Sequence, residues 1–120
     1  MGARINYCFK VDEGDVYVYL YSHWGETTWR QDLAQALDTA KPRWSDDNYC
    51  LRIIVDQLSK AGRDSETGYG LGLVQESDIL LMDYPVIVDV LSQTINDEGT
   101  LHSWEDFIQY QRGYKAGQTV

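Results

Sequence analysis

The chain has 120 residues, 43% of them hydrophobic, and a formal net charge of −9 from 19 acidic and 10 basic residues. This length fits one domain with its own core, and the hydrophobic content excludes an intrinsically disordered chain. The acidity argues against direct binding of nucleic acid, because phosphates need a positive surface. No apolar run approaches the roughly 20 residues that cross a bilayer and no export signal is seen, so we expect a cytoplasmic protein without membrane contact.

The first predicted elements are two strands joined in a hairpin. Residues 4 to 11 and 16 to 21 alternate with a period of two and are rich in β-forming residues, and an acidic turn containing Gly14 separates them. The second strand places three tyrosines on one face: Tyr17, Tyr19 and Tyr21. This aromatic face would suit a homodimer contact, or another element of the chain covers it.

Two helices are predicted next. Thr28 with Gln31 resembles a capping box that opens a helix over 29 to 41, which Pro42 ends. A second helix over 45 to 61 has well-marked ends, because aspartates occupy its first turn and a glycine follows its last.

The second half of the chain predicts further strands and a short helix. Residues 63 to 72 form a polar loop that contains the glycine-rich segment 68 to 72. The apolar segments that follow are predicted to be strands: 73–74, 79–82 and 86–91. A turn is expected at 96 to 99, after which Ser103 caps a helix that ends near Tyr110.

This order predicts the α+β class, with an antiparallel or mixed β-sheet packed against two main helices and a short C-terminal helix. Residues 1 to 112 would form this single domain, and residues 113 to 120 would be a flexible tail.

The two cysteines, Cys8 and Cys50, fall in a predicted strand and a predicted helix, so we expect buried and reduced thiols. Together with His23 and His102 they have the ligand types of a zinc site. They lack its paired ligands two to four residues apart, so we expect no metal, and no sequence motif implies a cofactor.

The segment 17 to 29 concentrates the candidate functional residues. His23 lies at a strand end beside a helix start, where it would act as a general base or hold a phosphate group. It has no evident catalytic partner in the sequence, and the alternative is that His23 and Trp24 pack over the helix start. Because no complete catalytic set is present, a non-enzymatic role is favoured, although catalysis stays open.

A ligand pocket is the alternative use of this segment. The loops 22 to 30 and 68 to 72, with an arginine, would line a pocket for a small anionic ligand such as a nucleotide. An aromatic ring would stack on a base, and backbone amides at the helix start would meet phosphate. The candidate binding residues are Ser22, His23, Trp24, Gly25, Arg30, Arg52 and Tyr69. The glycine segment itself matches no complete phosphate-binding motif.

The acidic residues indicate a different function, which is docking on a positively charged surface of another protein. The clusters that would form the acidic surface are Asp12, Glu13 and Asp15, then Asp97 and Glu98, then Glu105 and Asp106. The alternative is that the acidity only provides solubility.

Three segments carry a resemblance to small, uncharacterised proteins that bacteriophages and prophages encode. They are Tyr19-Leu20-Tyr21-Ser22-His23-Trp24-Gly25, Arg43-Trp44 before a Ser-Asp-Asp helix start, and Glu66-Thr67-Gly68-Tyr69-Gly70. The resemblance implies a phage protein in the host cytoplasm, where small acidic proteins inhibit host enzymes or immune systems by direct binding. It brings no activity and no catalytic residues.

Two functions from different classes are therefore expected. The first is a phage accessory protein that inhibits a host protein, including an anti-defence (anti-CRISPR-like) role, through an acidic and aromatic surface. Its partner would be a host protein with a basic nucleic-acid-binding surface. The second is a protein that binds or sequesters a nucleotide-like ligand at the loops 22 to 30 and 68 to 72.

Overall fold

Six strands and three helices make up the structure, a computed structural model that describes residues 4–23 and 28–119, with side chains as far as Gln111. The strands are β1 (Ile5–Lys10), β2 (Val16–Ser22), β3 (Tyr69–Gln75), β4 (Pro85–Asp89), β5 (Thr94–Asp97) and β6 (Thr100–Ser103). The helices are α1 (Trp29–Thr39), α2 (Asp47–Ser59) and α3 (Trp104–Thr119).

The strands form one mixed sheet in the order β3-β2-β1-β4-β5-β6. β1 and β4 are parallel neighbours, and the other neighbouring strands are antiparallel. The predicted α+β class, the mixed sheet and the first hairpin are confirmed.

One face of the sheet carries the main core. Its buried residues from the two central strands are Ile5, Tyr7, Phe9, Val86 and Val88. They belong to one cluster with large side chains from the helices: Trp29, Leu33, Leu37, Ile54, Trp104 and Phe107. All three helices therefore pack on this face, which we call the helix side.

The opposite face of the sheet is partly covered by a 3₁₀ helix, Glu76–Leu81. Ile79 from this segment is buried with Cys8 and Tyr17, whereas Leu80 and Leu81 are exposed. The predicted strand 79–82 is therefore wrong. The chain must cross the sheet from β3 to β4, because β2 and β1 lie between them. The crossing segment packs apolar residues on the sheet, and this gives its sequence the apolar pattern of a strand.

The glycine-rich segment is a strand and not a loop. β3 begins at Tyr69, and it pairs with β2 along its whole length. Gly70 and Gly72 lie opposite Tyr21 and Tyr19, so that the glycines face the tyrosine side of β2. A Cβ atom on Gly72 would approach the Tyr19 ring to 2.9 Å, which explains why a residue without a side chain is needed there.

The helix ends differ from the prediction in detail. Thr28 makes no capping bond to the backbone of α1, and its hydroxyl donates instead to Asp32 Oδ2 at 2.9 Å. The second helix is shorter than predicted: it begins at Asp47, and a 3₁₀ turn over Lys60–Gly62 follows its end at Ser59. The predicted cap at Ser103 is confirmed, because the Asp106 amide donates to Ser103 Oγ at 3.0 Å. The predicted C-terminal helix continues past Tyr110 to Thr119.

A hairpin, β5–β6, stands where only a turn was predicted. Glu98 and Gly99 form its two-residue turn with φ angles of 52° and 96°, and the Gly99 amide donates to Asn96 Oδ1 at 2.7 Å. Positive φ at both turn positions matches the right-handed twist of the flanking strands.

Among the described residues, no helix combines the length and the apolar character needed to span a membrane.

Candidate functional site

The ends of β2 and β3 bring two of the predicted loops together. The His23 amide donates to the Gly68 carbonyl at 2.8 Å, and Ser22 lies opposite Tyr69 in the strand register. His23 is exposed, and its Nδ1 atom lies 2.8 Å from the Tyr21 hydroxyl. Ser22 is buried. The remaining candidates of this loop, Trp24 and Gly25, lie outside the described residues.

Arg30 is held by acidic residues of the β5–β6 turn. Its guanidinium donates to both Asp97 carboxylate oxygens at 2.8 Å and lies 3.4 Å from Glu98. The hydrogen bond to Asp97 raises the pKa of Arg30, although burial acts in the opposite direction. The guanidinium also lies 4.7 Å from the centre of the Trp29 ring. These contacts connect α1 to the β5–β6 turn. The pocket hypothesis used the positive charge of Arg30 to bind an anionic ligand, but in the structure that charge is paired with Asp97 and Glu98.

Tyr84 is hydrogen-bonded to two residues that also contact Arg30. Its hydroxyl donates to Glu98 Oε2 at 2.7 Å and accepts a hydrogen bond from Trp29 Nε1 at 3.2 Å. Burial raises the pKa of Tyr84, and the hydrogen bond to Glu98 raises it further. We call Trp29, Arg30, Tyr84, Asp97 and Glu98 the Arg30 cluster.

The other candidate cation, Arg52, is exposed on α2. The structure therefore places Ser22, His23 and Tyr69 together where β2 meets β3, Arg30 at the β5–β6 turn and Arg52 on α2.

Tyr69 lines an open cleft of about 200 Å³ between the end of α2 and β3. Val55, Ser59, Arg63 and Leu71 are also in its wall. The Arg63 guanidinium donates to Asp56 Oδ1 at 2.6 Å. Sequence reasoning missed Arg63, since a single arginine in a polar loop has no pattern that links it to Val55 or Leu71.

Five exposed acidic residues lie at one end of the sheet. They are Asp12, Glu13 and Asp15 of the β1–β2 turn, and Glu76 and Asp78 at the start of the 3₁₀ helix. The two segments are in direct contact, because the Glu76 amide donates to the Asp15 carbonyl at 2.7 Å. We call this set the acidic end. Sequence reasoning found only its first three members, since the other two lie some 60 positions further along the chain.

None of the five carboxylates makes an ion pair with a described cation. Lys10 is the nearby base, and its ammonium lies 5.7 Å from the centre of the Tyr17 ring. Burial raises the pKa of Tyr17, while Lys10 lowers it and the carboxylates of Glu76 and Asp89 raise it. The acidic end therefore projects a negative field that the described part of the chain does not neutralise.

The other predicted acidic clusters are engaged within the protein. Asp97 and Glu98 belong to the Arg30 cluster, and Glu105 lies 2.9 Å from Lys41. Asp106 is in the first turn of α3, where negative charge is favourable. Of the three predicted clusters, the first is thus the one in which no side chain makes an ion pair with a described cation.

Both cysteines are free and buried. Burial raises the pKa of Cys8 to about 12 and that of Cys50 to about 11, so both thiols are protonated at neutral pH. Within the described ranges, no three His, Cys, Asp or Glu side chains come together as a metal site.

The described geometry defines an α+β domain with one strongly acidic end. Comparison of the chain with protein-family models, with curated proteins and with solved structures finds no match.

Proposed function

We propose that this chain is a phage accessory protein that binds and blocks a host protein, docking its acidic end on a positively charged surface. The observation that carries the proposal is that two distant segments, joined by a backbone hydrogen bond, carry five exposed carboxylates that form no ion pair with a described cation. A patch of one sign steers an oppositely charged partner and speeds association. The resemblance to phage proteins supports a host protein as the partner.

Surfaces that hold DNA or RNA are strongly basic, because they neutralise phosphates with lysine and arginine. RNA-guided nucleases, for example, hold their heteroduplex in a positively charged channel. An acidic domain that occupies such a surface would exclude the nucleic acid. This chemistry supports an anti-defence role.

The proposal is tested with two double variants that remove the same charge from different places. Glu13→Gln/Asp15→Asn weakens the acidic end, and Asp64→Asn/Glu66→Gln removes two exposed acids from the loop before β3. Binding to a partner retained from host lysate is measured over a salt series. We expect the first variant to bind about tenfold more weakly, which equals about 1.4 kcal/mol, and the second to bind nearly as the original chain does.

Salt dependence is the second readout of this experiment. We expect the affinity to fall as salt rises, because screening removes the attraction between exposed charges. Equal binding by both variants, or an affinity that salt does not change, would show that the acidic end is not the docking surface.

A second candidate function is binding of a small anionic ligand where the end of β2 meets the start of β3. The contact between the His23 amide and Gly68 favours it, as does the adjoining cleft lined by Tyr69 and Arg63. Native mass spectrometry of gently purified protein would show an added mass of nucleotide size. The variants His23→Ala and Arg63→Ala should remove that mass without lowering the melting temperature, and a clean apo mass contradicts this candidate.

A further inference from the structure

The outer edge of β3 is open to another strand. β3 is the first strand of the sheet order, and in the described part of the chain no strand pairs with its outer side. Proteins usually protect such an edge with charges, proline, a bulge or a very short strand. The seven residues of β3 contain neither a charge nor a proline. The opposite edge strand, β6, has only four residues.

Two leucines make this edge apolar on the helix side. Leu71 and Leu73 are 63% and 71% exposed, although their neighbours across the strand register are Leu20 and Val18 of the core. The helices thus leave the outer margin of the sheet uncovered. An added strand would cover both leucines and use the free backbone groups of β3.

The two ends of β3 differ in chemistry. Gln75 is followed directly by Glu76 of the acidic end, and Asp15 lies beside them. The other end, at Tyr69, opens into the cleft between α2 and β3. An occupant of the edge therefore meets negative charge at one end and, at the other, a cleft whose wall includes Leu20, Val55 and Leu71 beside Arg63.

We propose that the target adds an extended segment to the outer edge of β3, in antiparallel orientation. The segment begins with basic residues at the acidic end, continues with apolar side chains over Leu71 and Leu73, and ends with an apolar side chain in the cleft. Backbone hydrogen bonds along the edge would provide affinity, and the alternate side chains would provide specificity. Charge complementarity favours a basic partner over a second copy of this chain, which carries a net charge of −9. The basic part of this inference rests on the proposed function.

The test uses a synthetic octapeptide, Lys-Arg-Thr-Val-Thr-Val-Thr-Leu, with fluorescence anisotropy as the readout. Two further peptides are N-methylated at every second amide. In the first peptide the methyl groups lie on one side of the extended strand, and in the second they lie on the other side. An extended strand points its amides alternately to its two neighbours. We therefore expect one methylated peptide to bind as the parent does and the other to lose binding.

Protein variants provide the matched control. Leu73→Lys should weaken binding about tenfold, whereas Leu101→Lys should leave it unchanged. Leu101 is 67% exposed and lies on the opposite edge strand, so both substitutions place the same charge at a comparably exposed edge position. Circular dichroism and melting temperature confirm that each variant folds.

The outcomes separate this inference from the proposed function. If the parent peptide does not bind, if both methylated peptides bind equally, or if Leu73→Lys has no effect, the strand addition is wrong. If binding of the lysate partner still depends on Glu13 and Asp15 in that case, docking by the acidic end stands without the strand addition. Dependence on Leu73 without dependence on Glu13 and Asp15 contradicts the basic partner. A dimer in sedimentation that Leu73→Lys dissociates would assign the edge to a second copy and overturn the proposal.

Discussion

Arg30 shows how a single residue can be misassigned from sequence. As a cation beside a predicted helix start it is a plausible phosphate ligand, but the structure gives it two carboxylates and an aromatic ring. Asp97 lies 67 positions away, so no local pattern connects the two residues. The acids of the β5–β6 turn were predicted as partner-binding residues for the same reason.

The Arg30–Asp97 pair should contribute measurably to stability. Its geometry is bidentate and Asp97 is only 16% exposed, while Arg30 itself is 39% exposed, so solvent screening reduces the gain. We expect Arg30→Ala to lower the free energy of unfolding by about 1 kcal/mol. Arg4→Ala is the control, because its 3.5 Å contact with Asp83 joins two side chains that are 54% and 67% exposed. Equal effects in urea denaturation would contradict this prediction.

Because both thiols are buried, we expect the free energy of unfolding to fall at alkaline pH. Burial raises the pKa of Cys8 and Cys50 in the folded state from 9.0 to about 12 and about 11. The unfolded chain therefore releases protons first as the pH rises through 9, and the free energy of unfolding should fall by up to about 1.4 kcal/mol per pH unit per thiol.

Urea denaturation between pH 7 and 10 tests this prediction below the ordinary pKa of tyrosine, 10.0. The same burial should keep both thiols unreactive toward iodoacetamide at pH 8 until the protein unfolds. Rapid alkylation of the folded protein, or a stability that is flat up to pH 10, would show that the thiols are not desolvated.

At the scale of the element, β3 depends on its contact with the tyrosine face of β2. A Cβ atom at position 72 would lie 2.9 Å from the Tyr19 ring, whereas one at position 70 would have 3.8 Å to its nearest neighbour, Tyr21. We expect Gly72→Ala to destabilise the protein by about 1 kcal/mol or more through overpacking. Gly70→Ala should be neutral or slightly stabilising, because glycine is a poor strand residue.

The double variant Gly72→Ala/Tyr19→Ala identifies the cause of the effect. If overpacking is the reason, Gly72→Ala should cost less in the Tyr19→Ala background than in the original chain. An unchanged cost in thermal unfolding would instead assign the effect to the strand backbone.

At the scale of the whole molecule, the uncompensated charge of the acidic end should oppose folding at low salt. Like charges close together repel, and salt screens that repulsion. We expect the melting temperature to rise between about 10 mM and 150 mM salt, a range in which the screening length shrinks from about 30 Å to 8 Å. Glu13→Gln/Asp15→Asn should be more stable than the original chain at low salt and should show a smaller rise. Asp64→Asn/Glu66→Gln is again the control for charge removal elsewhere, and an equal gain in both variants would place the repulsion outside the acidic end.

The sequence by itself determined much of the secondary structure. The hairpin β1–β2, the helices α1 and α2, and the Ser103 cap follow from local causes, since apolar periodicity, turn residues and helix-end chemistry act over a few positions. The acidity and the buried free thiols could also be predicted from residue type and local pattern.

Only the tertiary structure decided which of these features act together. The pairing of β1 with β4, the contact of Glu76 with Asp15 and the bond of Arg30 to Asp97 join segments 60 or more positions apart. Such contacts depend on the crossover between β3 and β4 and on the packing of all three helices on one face. For this reason the sequence specified the acids, and the fold decided which of them remain exposed without a described ion-pair partner and which edge of the sheet stays open in the described part of the chain.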